Sequence, residues 1–474
     1  MSPDTLRTIL PKLVRWIGAL AAILIAGSLI MSFVTTGTVT VTTGSSVANI
    51  TISSLPQQGA STGNPTIAQK ATGQTTVRLK TGSYIVSVEQ GSATTNQLVN
   101  VGWLSSHDLN LAPSSVATTE PVLYKSVHNL AADSSRLIYI AGDTNTVEFI
   151  GTDNHDAPVP GNQYFTSAAW ATTTYGLAQD KSGQLYVING NSFHTLRTPV
   201  TGPELAYAIA PDKTIYLGLG ANVYRGTESG GFSQISSDFS PHGLLVAATG
   251  KVLVINPGSD QQPGTATVIT TDGKTTTKKF GYKLTGVTSW SPSGSYISLS
   301  VGSYPELFDS SLKQVAVLPQ PYPVSVGDWQ NDNTLYYSTA GKLWSHNLSS
   351  GTSSLIATLP GQRSIQEVSV SADRAYVYLT ASDVMNSNNG RPQAVFRVSL
   401  HGQPVSSTLS ALQDVLPIGT PNYQIGLRNF TAPLTIDVVA YPGVDPGEVE
   451  QSAKDTLQGI IDTSNVNFDI EAGD

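Results

Sequence analysis

The sequence predicts a mostly β chain whose centre is a β-propeller of about seven blades, and three observations predict it. A unit of apolar strand, polar turn and second apolar strand recurs seven times between Val122 and Arg428. Its first and last apolar anchors, Leu130 and Val370, stand 240 residues apart over six steps, a mean near 40. The composition carries 54 Ser and 52 Thr, with 43 Gly and 27 Pro to supply turns, and only 12% charged residues. Such a chain favours short strands over helices. A sheet of four short strands cannot bury both faces alone, and stacking such sheets around an axis buries them against one another.

The elements follow in chain order. Residues 1–15 carry Arg7, Lys12 and Arg15 and read as a cytoplasmic N-terminus. Trp16–Val34 holds 19 residues without a charge, enough for one membrane-spanning helix. The next charged residue after it is Lys70, so the positive-inside rule places everything beyond Val34 outside the cell membrane. A cleaved signal sequence is the alternative, but its apolar region would be shorter, about 7–15 residues.

Residues 37–112 alternate with period two, as half-buried antiparallel strands do. Gly37, Val39 and Val41 open the segment; Leu79, Gly82, Tyr84, Val86 and Val88 form its middle; Val99, Val101, Leu109 and Leu111 close it. This order resembles the PEGA domain, although Gly44–Val47 stands where that family has its Pro-Glu-Gly-Ala tetrapeptide. The resemblance implies a small β-sandwich acting as an extracytoplasmic accessory module.

Residues 122–428 are the expected propeller. The anchors are Leu130, Leu177, Ile209, Val246, Trp290, Trp329 and Val370. Their first two steps, 47 and 32, are uneven and leave six or eight blades open. The run Trp290–Gly294 resembles the W-S-P-D-G turn of TolB-like propeller repeats, and no W-D dipeptide accompanies it. Residues 429–474 read as a small acidic β-α-β unit. Leu434–Ala440 is its first strand, Asp445 caps a helix over about 17 residues, and Val466–Ile470 is its second strand. That unit holds nine acids and one base, and so accounts for the whole formal charge of −8.

Charge and motif usage narrow the function. Outside the acidic tail acids and bases balance, and no basic stripe is present to neutralise phosphates, which argues against nucleic acid as partner. The absence of Cys rules out thiolate chemistry and disulfides. No nucleophile elbow, zincin helix, complete phosphate loop or calcium loop is found, and the seven His never fall at metal-ligand spacing. No metal, cofactor or catalytic set is therefore expected. Three residues are ligand-binding candidates. Trp170 lies outside the anchor column and could stack on a sugar, while Asp328 and Glu367 fall on expected innermost strands. The expectation is a membrane-anchored extracytoplasmic protein, not an enzyme, whose propeller binds or scaffolds a surface protein or cell-envelope glycan. The alternative is a membrane-tethered enzyme acting on glycans or peptides with Asp328 and Glu367 as acid and base.

Overall fold

In the computed structural model the described residues are 36–54 and 65–400, with short breaks, and three strands within 416–440. Trp16–Val34, the expected helix after Asp445 and the strand Val466–Ile470 lie outside the described residues. Among the described residues no helix is long and apolar enough to cross a membrane.

The N-terminal unit, which runs to Ser115, is a two-sheet β-sandwich. In one sheet Thr36–Thr42 lies between Gln74–Lys80, antiparallel, and Ser106–Asn110, parallel. In the other, Ala48–Ser54, Pro65–Ala71, Gly82–Gln90 and Ala93–Val101 pair antiparallel. Alternation places Val39, Val41, Leu79, Tyr84, Val86, Val88, Val99, Val101, Leu109 and Leu111 in one core. Gly37 permits the close approach of its strand to a neighbouring turn. A Cβ there would stand 2.7 Å from Val101 Cγ1 and 2.6 Å from Ser105 Oγ.

The second unit holds seven four-stranded blades among its described residues. Blades 1 to 3 run Val127–Ala132 to Asp156–Pro158, Ser167–Thr172 to Ser192–Thr195 and Ala206–Ile209 to Gly230–Ser236. Blades 4 to 6 run Leu244–Ala248 to Thr275–Lys279, Ser289–Trp290 to Gln314–Val317 and Ser325–Asn331 to Thr352–Thr358. Blade 7 takes Arg363–Val370, Tyr376–Asp383 and Ala394–Ser399 from one end of the unit and its outermost strand, Thr119–Leu123, from the other. The propeller thus starts at Thr119 rather than Val122. Tyr423–Gly426, expected inside it, pairs instead with Asp437–Ala440 in a separate sheet.

The innermost strands lie side by side around a closed ring, blade 7 next to blade 1. Seven apolar clusters fill the seven spaces between blades. Each second strand feeds two of them. Tyr139 faces blade 7, while Ile138 and Ile140 face blade 2. Burial on both faces is why these strands read as continuous apolar runs.

One register differs from expectation. Leu177 lies on the second strand of blade 2, and the innermost strand is Ser167–Thr172. The cue for a turn was Asp followed by small polar residues. Asp133 Oδ1 accepts hydrogen bonds from Ser135 N, Ser135 Oγ and Arg136 N in the first turn of blade 1. Asp180 Oδ1 accepts from Ser182 N, Ser182 Oγ and Gln184 N, but in the second turn of blade 2. The local chemistry is the same and its place in the blade is not. With Trp170 in the anchor position, the uneven first two steps become 40 and 39.

Candidate functional site

All three candidate side chains stand on innermost strands, at or beside β-bulges. The pairing register slips between Ser325 and Asp328, between Ile365 and Glu367, and between Trp170 and Thr172. A bulge leaves an unpaired residue and re-aims its side chain. Blade 1 has the same device. Asn129, at φ 53°, falls in the slip opposite Ile138 and Ile140. Asn tolerates this left-handed conformation because its short amide can bond locally.

The bulges aim these groups at the neighbouring blade. Asp328 Oδ2 accepts from Val370 N at 2.7 Å, across blades 6 and 7, while Oδ1 accepts from Trp329 N at 2.8 Å. Glu367 Oε2 accepts from Leu130 N at 3.4 Å, across blades 7 and 1. Asn129 Oδ1 accepts from Ala168 N at 3.1 Å, across blades 1 and 2, and Trp170 Nε1 donates back to Asn129 O. Gly176 makes room for that indole, since a Cβ there would stand 2.3 Å from Trp170 Cε3. Asp328, Glu367, Asn129 and Trp170 therefore form one line of inter-blade bonds through the closing blade. Asn129 is the member that sequence reading missed. A polar residue directly before an anchor, where Asp328 precedes Trp329, is the signal that was available.

Burial pushes the Glu367 carboxyl up to about 7, and the charge of Asp328 pushes the same way against the N–H groups of Leu130 and Asn129. Burial also raises Asp328, opposed by the N–H groups of Val370 and Trp329 and by Arg374. The Glu367 carboxyl thus senses the charge of Asp328, and a group poised near neutrality is able to hold or pass a proton. A pH dependence follows. Glu367 binds its proton more tightly folded, at about 7, than at its ordinary 4.5. Between those values the unfolded chain holds fewer protons, so stability falls as pH rises and reaches its low plateau above about 7. In Glu367→Gln the melting temperature should fall less steeply over this window. Equal slopes in wild type and variant would show that Glu367 does not titrate there.

A second polar cluster joins two strands of blade 2 to two turns of blade 3. Tyr175 OH donates to Glu228 Oε2 at 2.5 Å, and His194 Nε2 stands 3.0 Å from Glu228 Oε1. Lys213 Nζ lies 4.1 Å above the Tyr175 ring, a cation–π contact. Burial, then the bond to Glu228 and its charge, drives the Tyr175 hydroxyl further up. Tyr175 is buried, whereas His194, Lys213 and Glu228 are exposed. These four residues span more than 50 positions of sequence, so no local motif announced them. Among the described residues, no three His, Asp or Glu side chains converge as a metal site.

No protein-family model and no curated protein matches the sequence. Among solved structures, the WD40 repeats of RRP9 are similar at 12% identity, covering 60% of this chain and 99% of that chain, with a TM-score of 0.46. The WD40 β-propeller domain of Doa1 is similar at 13% identity over 60% and 98%, with a TM-score of 0.42. YCF48 bound to D1 peptide is similar at 10% identity over 61% and 98%, with a TM-score of 0.45. The chain's own sheets, seven four-stranded blades in a ring closed by Thr119–Leu123, make this unit a β-propeller.

Proposed function

We propose that the chain is a membrane-anchored extracytoplasmic protein whose propeller binds or scaffolds a surface protein. The carrying observation is that the polar groups of the innermost strands are already engaged inside the ring: Asp328 Oδ2, Glu367 Oε2 and the Trp170 indole bond to neighbouring blades, and Asp328 Oδ1 bonds to Trp329 N of its own strand. Recognition then falls to the exposed surface, where Lys213 and Glu228 on turns of blade 3 present opposite charges beside His194 on the outermost strand of blade 2. The anchor reading rests on Trp16–Val34 and the basic residues before it. The sandwich after it has the core positions by which the sequence resembles a PEGA domain.

The detergent-solubilised full chain, used as bait for cell-surface proteins, should capture a protein partner. Lys213→Glu with Glu228→Lys should weaken that capture several-fold while leaving the fold intact. Capture of envelope glycan alone would replace the protein partner. One observation favours an enzyme instead, namely the buried Glu367 carboxyl held near neutrality. Turnover of an envelope glycan or peptide that is lost in Glu367→Gln or Asp328→Asn, with folding intact, would replace binding by catalysis.

A further inference from the structure

Two strongly exposed large apolar side chains are neighbours in one turn of the N-terminal sandwich, Trp103 at 64% and Leu104 at 68%. Isolated exposed apolar residues are ordinary on protein surfaces, but an adjacent pair of this size calls for a partner. Leu104 is also held at φ 51°, in the left-handed region that a bulky side chain rarely adopts. Backbone strain of this kind persists only where the surroundings impose it.

The surroundings are the strand that follows the expected membrane anchor. Leu104 N donates to Thr36 O at 3.1 Å, and Thr38 N donates to Ser105 O at 2.8 Å. Ser105 Oγ accepts from Gly102 N at 2.9 Å and donates to Gly102 O at 3.0 Å, which closes the turn on itself. Gly37 lets the two segments approach, as its missing Cβ shows. The turn is thus fastened to Thr36, two residues beyond Val34, the end of the 19-residue apolar run. The same end of the sandwich carries Lys80, the register partner of Thr36, which is exposed. Residues 80–83 and 101–106 include no carboxylate. A Trp, a Leu and a Lys within two stretches that hold no acid is a composition that suits the headgroup boundary of a bilayer, where an indole has both its apolar body and its N–H satisfied.

We propose that the Trp103–Leu104 turn inserts into the outer headgroup region of the same membrane that holds the anchor, so that the sandwich rests on the lipid surface at a second point. The proposal depends on the anchor reading of Trp16–Val34. The full chain, carrying Trp16→Phe so that no tryptophan remains in that segment, is reconstituted into phosphatidylcholine–phosphatidylglycerol vesicles whose acyl chains are brominated at shallow positions. Bromine should quench a component equal to one tryptophan's share of the emission, and that component should vanish on adding Trp103→Phe. Leu104→Asp should diminish it while the anchor keeps the protein in the vesicles. Quenching that is the same with and without Trp103, in protein that floats with the vesicles, overturns the proposal and leaves the anchor standing. Protein that does not float with the vesicles overturns both.

Discussion

Trp329→Ala should destabilise the propeller by about 3–5 kcal/mol, the usual cost of removing a buried tryptophan and leaving its cavity. Trp329 is 1% exposed and packs between blades 5 and 6 against Leu307, Leu335 and Tyr337. Its ring stacks on Tyr296 at a centroid distance of 6.3 Å. Arg374 Nη1 reaches across from blade 7 to donate to its carbonyl at 2.7 Å, so the same residue ties three blades. Trp290→Ala should cost a similar amount. It empties the space between blades 4 and 5 and removes the indole donor that Val246 O accepts at 2.9 Å. Chemical denaturation followed by intrinsic fluorescence and by circular dichroism measures both. A loss below about 1 kcal/mol at either position would mean that the side chain is not packed between blades.

Val122→Asp should cost about 4 kcal/mol or more and open the ring. Val122 is 1% exposed and sits with Leu123, Leu130, Leu137 and Val395 in the space between blades 7 and 1. A carboxylate there has no partner and must either be buried as a charge or drive its strand out. Limited proteolysis distinguishes this from uniform weakening, because cleavage should appear first within 112–126. Glu120→Ala is the milder comparison. Glu120 is half exposed where it pairs with Arg397 at 2.7 Å, so its loss should cost roughly 1 kcal/mol. A Val122→Asp variant as stable as wild type would show that Thr119–Leu123 does not complete blade 7.

Blade number was legible because burial on both faces leaves a mark in the sequence, as in the unbroken Leu137–Ala141 run. The placement of blade 2 was not, since Asp180 and Asp133 cap their turns by one hydrogen-bond scheme and nothing local says which turn of a blade it serves. Thr119–Leu123 escaped notice for another reason. An outermost strand has one open edge, admits Pro121 and Glu120, and finds its partner more than 270 residues away. The candidate site was readable in the same uneven way. Asp328 and Glu367 lie on innermost strands as alternation and spacing suggested. Their electrostatic contact, and the place of Asn129 between Glu367 and Trp170, depend on bulges, which are written in pairing register and not in residue type.

The closing strand also sets how the molecule carries tension. Thr119 pairs with Val398 and Leu123 with Val395, so the residues that lead into the propeller at 118 and out of it at 400 leave the same end of one antiparallel pair. A pull applied between the two ends of the chain therefore loads this pair by peeling, one rung after another, and not in shear along its length. The Glu120–Arg397 bridge stands at the second rung, where such a peel meets its first side-chain resistance.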